Sequence, residues 1–218
     1  MPPRAALAAL LDGYAPLRPA PLCPELLAFQ ARALVEVWEA AERLAGQPMP
    51  APFWAYAWAG GSALARVILD APERVRSKRV LDLGTGGGVT AMAAAKAGAA
   101  EVVANDVDPW AVAVAEIAAE RQGLRITPLV GDLTAEPGQG VECDVVLCGD
   151  LAYERSVAPR LRAWLDRARA RGAEVLAADA GRAYFEPAGL ELIATFTIPV
   201  PRDLEGVDER TARVYRWP

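Results

Sequence analysis

The sequence predicts an α/β protein: a doubly wound, mainly parallel sheet with an N-terminal helical extension and an antiparallel C-terminal strand. Three observations predict it. Residues 80–88 read V-L-D-L-G-T-G-G-G, an apolar strand running into a glycine cluster, and the alanine-rich residues 89–97 behind them read as a helix. From Arg79 onward strand-like runs recur at 79–83, 101–105, 125–130, 143–148, 173–178 and 190–198. Helix candidates at 88–97, 109–121 and 154–170 and a loop at 134–140 separate them, which is a βαβ series. Finally, Asp82, Gly84, Asp106, Asp132 and Asp150 fall at or just after strand ends, the edge of such a sheet where ligands bind, so they are expected to share one cleft.

Length and composition agree with this class. The 218 residues are 53% hydrophobic, enough for one compact unit with a sizeable core. We divide it into residues 1–78, an extension with a helix and an aromatic lid, and residues 79–218, the core. The 23 basic and 28 acidic residues leave a net charge of −5, which argues against a general nucleic-acid binder. The run Arg74-Val75-Arg76-Ser77-Lys78-Arg79 reads as a solvated loop face. There is no histidine, so the commonest metal ligand and general base is missing, and we expect no metal. Cys23, Cys143 and Cys148 fit no zinc spacing, and the last two flank an apolar run as buried thiols. This sparse, odd cysteine count suits the cytoplasm. The apolar patch at 5–11 is too short to span a membrane and weak as a secretion signal.

In the extension, six prolines within residues 1–24 imply an extended segment after a short helix near Leu7 to Leu11. Residues 25–45 read as one long amphipathic helix, with Leu26, Leu27, Leu34, Val37, Trp38, Ala41 and Leu44 mostly at three- and four-residue spacing and Gly46 at its end. Phe53, Trp54, Tyr56 and Trp58 then crowd into six residues ahead of Gly60 and Gly61. They form either a hydrophobic cluster under a loop or a lid, with Trp54 and Trp58 as flat walls of a substrate or cofactor cleft. Ser62 reads as the cap of a helix running to Leu69. Residues 190–217 read as two strands around a long connection, one of them antiparallel.

The glycine spacing narrows the ligand. A dinucleotide fingerprint wants a sixth-position glycine, and Val89 stands there. The pattern present, Asp82 then Gly84, Gly86 and Gly88, resembles the first motif of class I methyltransferases that use S-adenosylmethionine (SAM). Asp106 stands 22 residues after Gly84, where an acidic residue holds ribose hydroxyls. Asp108 and Pro109 start the next helix, which leaves Asp106 free for that role.

The likeness becomes closer further on. Asp150 to Tyr153 is a D-x-x-Y resembling the signature of seven-β-strand protein lysine methyltransferases. The stretches P-F-W-A-Y-A-W-A-G-G, V-L-D-L-G-T-G-G-G, A-A-A-K-A-G-A-A and A-N-D-V-D-P, with R-D-L-E near the C-terminus, resemble the electron transfer flavoprotein β-subunit lysine methyltransferases. The resemblance implies SAM as cofactor, held by Asp82, Gly84, Thr85, Gly86, Gly88, Asp106, Val107, Asp132, Leu133 and Trp58. Within that set Asp82 takes the amino group of the methionine part and Asp132 the adenine edge. It implies a lysine ε-amine as acceptor, bound by Trp54, Trp58, Asp150 and Tyr153, with Asp150 and Tyr153 as the catalytic pair. The expected protein substrate is the β subunit of electron transfer flavoprotein. The alternatives are a ribosomal protein, a small amine, and a catalytically inactive binding protein on the same fold. A nicotinamide-dependent dehydrogenase is disfavoured by Val89 and the absent histidine.

Overall fold

The computed structural model describes residues 1–135 and 141–218. The extension contains α1 (Arg4–Tyr14), β1 (Leu17–Ala20), β2 (Cys23–Phe29), α2 (Leu34–Ala45), a 3-10 turn (Phe53–Ala55) and α3 (Ala59–Asp70). The core follows as β3 (Arg79–Leu83), α4 (Val89–Lys96), β4 (Glu101–Asp106), α5 (Pro109–Glu120), β5 (Thr127–Val130), β6 (Val145–Gly149), α6 (Ala158–Ala170) and β7 (Glu174–Asp179). It closes with β8 (Glu191–Pro199), the single-turn α7 (Arg202–Glu205) and β9 (Glu209–Arg216). A seven-stranded sheet takes the order β5-β4-β3-β6-β7-β9-β8. Five strands pair in parallel, and β9 runs antiparallel to both of its neighbours. The chain leaves β3 toward β4 and β5, then returns to its other side for β6 and β7. The order therefore reverses at β3, and a crevice opens beyond the carboxyl ends of β3 and its neighbours.

Burial follows from this placement. In the central strand β3 every residue after Arg79 is buried, as a strand covered on both faces requires. Val80, Val145 and Leu147 belong to one hydrophobic cluster, while Leu81, Val146 and Cys148 belong to the other. That is the period-two alternation of a sheet packed on two sides. Helices α4 and α5 supply the first cluster, and α6 supplies the second through Leu161, Trp164 and Leu165. The extension shares the first cluster: Leu7, Leu11, Leu26, Phe29, Val37, Trp54 and Leu64 pack with Met92, Val114 and Leu147. No helix among the described residues is long and apolar enough to cross a membrane. The three cysteines are free, with Cys23 and Cys148 buried and Cys143 half-buried.

Several expectations need correction. Residues 25–45 are not one helix. Residues up to Phe29 pair antiparallel with β1, setting Leu17 against Phe29 and Pro19 against Leu27. The helix begins only at Leu34. Leu26 and Leu27 fit a helical stripe and a strand equally well, and backbone pairing with β1 decides for the strand. Residues 1–24 are more regular than their prolines imply. Helix α1 runs to Tyr14, and Pro19 is tolerated in a two-stranded ribbon that is edge on both sides. Ser62 does not cap a helix. It lies buried inside α3, and its hydroxyl contacts the carbonyl of Ala57. The helix expected at 154–170 starts at Ala158. Of the expected loop at 134–140, residues 136–140 lie outside the described residues.

The strand assignment for residues 23–29 is open to direct test. Leu26 is fully buried, whereas Leu27 is 36% exposed. Leu26→Ala is expected to cost about 2–5 kcal/mol in urea unfolding, and Leu27→Ala under about 1 kcal/mol.

Candidate active site

The glycine turn after β3 is fastened from beneath. Asp82 is 2% exposed, and its Oδ2 accepts both the Thr85 hydroxyl at 2.7 Å and the Ala91 N–H at 3.0 Å. Burial pushes this carboxyl up to about 7. Asp82 and Thr85 therefore brace the turn, and its residues Leu83, Gly84 and Gly86 line the cleft. Gly84, Gly86 and Gly88 all have positive φ, at 72°, 51° and 84°. A Cβ on Gly87 would stand 2.8 Å from the Trp54 carbonyl oxygen, so a glycine there lets the aromatic segment lie against the turn.

Above the turn opens a cleft of about 1090 Å³, which brings together Gly84, Gly86, Asp106, Asp132 and Asp150 as expected of strand-end residues. A Cβ on Gly86 would meet nothing within 4 Å, so that wall is open space a ligand can fill. Asp106 is braced by backbone: Oδ2 accepts the Gly86 N–H at 2.9 Å and Oδ1 the Asp108 N–H at 3.0 Å. Each oxygen retains acceptor capacity, and burial raises the carboxyl above its ordinary range. Val107 is exposed on the same rim. Asp132 is more heavily committed. Oδ1 accepts the Thr134 N–H and hydroxyl, and Oδ2 the Arg160 guanidinium at 3.0 Å. Burial would raise its carboxyl, but these donors outweigh it and hold it below the ordinary range. Leu133 beside it is buried and lines the cleft.

Asp150 stands just past the end of β6 on the same wall. Its backbone is left-handed, φ 54°, which a non-glycine residue adopts only under constraint. The constraint is its carboxylate. Oδ2 accepts the Gly60 N–H at 2.6 Å, and Oδ1 accepts the Ala180 N–H at 2.9 Å and Arg182 Nε at 3.2 Å. Helix α3 has no side-chain cap of its own, and Asp150 caps it from 90 residues away. A Cβ on Gly60 would come within 2.6 Å of that carboxylate.

Aromatic side chains complete this wall. Trp58 lines the cleft, donates Nε1–H to the Phe53 carbonyl at 2.8 Å, and carries the Arg182 guanidinium 5.1 Å above its ring. Trp54 is buried, lines the cleft and stacks on Trp110. Tyr153 is 45% exposed, meets Phe53 edge-on at 5.9 Å, and has its phenol pushed up by burial and by Glu154 and Asp106. Among the described residues no group of three His, Cys, Asp or Glu side chains is placed to hold a metal.

Sequence reasoning passed over Asn105, Arg160, Arg182 and Glu205. Asn105 is buried and donates to the carbonyls of Leu129 and Gly131, which holds the Asp132 loop beside β4. An amide inside an apolar strand was a readable signal. Asp179 at the end of β7, followed by Gly181 and Arg182, repeats the strand-end acid pattern and was readable too. Glu205 closes the R-D-L-E stretch that carries part of the family resemblance, but its burial and its pairing with Arg182 are set by tertiary packing.

The two aspartates predict opposite responses to an isosteric amide. Both donors at Asp82 meet one oxygen, so Asp82→Asn keeps both bonds and the fold. The raised carboxyl stabilises the folded state fully below about pH 4, and that stability is lost as pH rises through about 7. Urea midpoints from pH 4 to 8 are expected to show the wild type losing roughly 2–4 kcal/mol relative to Asp82→Asn across this window. At Asp150 both oxygens face donors, so an amide nitrogen meets a donor either way round. Asp150→Asn is expected to cost about 1–3 kcal/mol.

Comparison with known proteins bears on this site. The family model for ribosomal protein L11 methyltransferase (PrmA) matches residues 64–155. Among solved structures, TrmN from Thermus thermophilus superposes with a TM-score of 0.52 at 22% identity, covering 84% of this chain and 66% of that one. The 16S rRNA N2 G1207 methyltransferase RsmC from T. thermophilus, in complex with AdoMet and guanosine, gives 0.51 at 21% identity over 74% and 43%. At these identities the likeness is one of fold, a methyltransferase fold of the Rossmann-like type. The electron transfer flavoprotein beta subunit lysine methyltransferase of Rattus norvegicus is 36% identical over 183 residues, which span 82% of this chain and 70% of the relative. A match of that identity and extent, running through the extension and the core alike, makes this chain a member of the electron transfer flavoprotein β-subunit lysine methyltransferase family.

Proposed function

We propose that this protein transfers methyl groups from SAM to lysine ε-amines of the electron transfer flavoprotein β subunit. The observation that carries the reading is one cleft lined by two differently held carboxylates. Asp106, at the end of β4, is braced by backbone and suited to a ribose, and Asp150, just past β6, shares the wall with the aromatic rings of Trp58 and Tyr153. The name of the rat relative supports the substrate, and the AdoMet in the RsmC complex supports the cofactor.

The residues present fit SAM. Asp106 keeps acceptor capacity for two hydroxyls, Gly86 leaves open space beside it, and Leu133 offers an apolar wall. Gly84 and Gly86 would run along the methionine part, while Asp82, Thr85 and Gly88 act beneath as braces. Asp132, already paired to Arg160, would meet the adenine end through its remaining lone pairs. When bound, the cofactor supplies an activated methyl group.

The chain's own part is to bind, orient and desolvate the amine. Asp150 holds and aims the incoming ammonium with the acceptor capacity its three donors leave free. Trp58 and Tyr153 exclude water, and desolvation lowers the pKa of the amine, which must lose a proton before it attacks. A second reading, a ribosomal protein as substrate, has one observation behind it: the family-model match over residues 64–155 takes in both the glycine turn and Asp150 to Tyr153.

The test is intact-mass analysis of electron transfer flavoprotein incubated with this protein and SAM. Methyl-sized additions on the β subunit are expected. Asp150→Asn, assayed well below its melting temperature, is expected to reduce them about 100-fold with SAM affinity retained. Full SAM binding without any added mass would refute this substrate and favour the ribosomal reading.

A further inference from the structure

We propose that Arg182 is a positioning residue for the amine end of the cleft, tying the Asp150 carboxylate, the Trp58 ring and the buried Glu205 into one rigid unit. The inference rests on the methyl-transfer reading above and assigns the side chain that holds its acceptor end in register.

The backbone of Arg182 is set first. Asp179 at the end of β7 accepts the Gly181 N–H at 2.7 Å and the Arg182 N–H at 3.1 Å. The side chain then reaches three groups at once. Nε donates to Asp150 Oδ1 at 3.2 Å. The two terminal nitrogens meet the two oxygens of Glu205 at 3.0 and 3.3 Å. The face of the guanidinium lies 5.1 Å over Trp58. Only a planar fork with five donors can make in-plane bonds to two carboxylates while stacking on an indole. Burial would lower the guanidinium's pKa, but Asp150 and Glu205 outweigh it and hold the group charged.

Two consequences follow for the amine. The Asp150 backbone is strained, and of its carboxylate's donors Arg182 is the one supplied by a side chain. Without it, that carboxylate is aimed by two backbone N–H groups alone, and Trp58 loses the cation on its face. Arg182 also balances the Asp150 charge. A lone carboxylate would hold a bound lysine protonated, and a compensated one allows the proton to leave. Glu205 does not depend on Arg182, because Arg210 Nε also donates to it at 3.1 Å. Removing Arg182 leaves Glu205 paired with Arg210 and leaves the buried Asp150 carboxylate hydrogen-bonded to the Gly60 and Ala180 N–H groups without a counter-charge, and the fold is expected to survive at reduced stability.

The experiment compares wild type, Arg182→Gln, Arg182→Lys, Trp58→Phe and the double variant Trp58→Phe/Arg182→Gln. The readouts are SAM affinity, kcat and KM for the β subunit, and the Trp58 emission obtained by difference from Trp58→Phe. Arg182→Gln is expected to keep SAM affinity within about threefold, lower kcat about 100-fold, and alter Trp58 emission. Arg182→Lys is expected to recover only part of kcat, and Arg182→Gln to cost less in the Trp58→Phe background than alone. Unchanged kcat, a loss that tracks SAM affinity, or unaltered Trp58 emission would overturn the proposal. If the wild type transfers no methyl group, the functional reading fails, and the Trp58 emission of Arg182→Gln still decides whether Arg182 holds this ring.

Discussion

The structure turns on one hydrogen bond, the 2.6 Å contact from the Gly60 N–H to the Asp150 carboxylate. A helix start needs acceptors for its first N–H groups, and α3 carries none on its own side chains. Borrowing one from the end of β6 locks the extension to the sheet at the mouth of the cleft. The geometry is demanding. Asp150 must adopt a left-handed backbone, and Gly60 must lack a Cβ. Gly149 must lack one too, because it would meet the Gly61 backbone at 2.9 Å. Once these conditions hold, the aromatic segment that leads into α3 has one place to go, against the glycine turn at Gly87.

Four strand-end aspartates show how far environment divides one chemical group. Asp82 is sealed beneath the turn, where desolvation dominates and the carboxyl titrates near neutrality. Asp106 is raised by burial but held by backbone donors with room for further partners. Asp132 is lowered by Thr134 and a surface arginine. Asp150 joins three segments through one donor on Oδ2 and two on Oδ1. Sequence position treats them as equivalent. Their distinct environments come from burial and from the direction of nearby N–H groups.

The extension is not an appendage to this site. Met1 to Pro3, Leu44, Ala45 and residues 47–51 stand on the cleft wall with Phe53, Trp54 and Trp58. Leu7, Leu26, Phe29 and Val37 lie in the same hydrophobic cluster as α4 and α5. A protein substrate approaching Asp150 would therefore meet residues of the extension and of the core together. The match to the rat relative, with its 82% coverage of this chain, reaches beyond residues 79–218.

Much of this was determined by sequence alone. Alternating strands and helices, a glycine turn after a buried strand and acids at strand ends are local patterns, each set by a few neighbouring residues. They were sufficient for the parallel sheet and a cleft containing Asp106, Asp132 and Asp150, while the antiparallel final strand was what the family resemblance implied. Tertiary structure decided what depends on partners distant in the chain. Strand β2 exists because β1 pairs with it, although its leucines fit a helix as well. Asp82 serves the turn because Thr85 and Ala91 converge on one oxygen. Arg182 joins Asp150 and Glu205, 32 and 23 residues away in the chain, through a fork whose geometry no spacing rule encodes. Periodicity reports which face of an element is apolar. Which groups then meet on that face is fixed by packing and by the need to satisfy every buried polar atom.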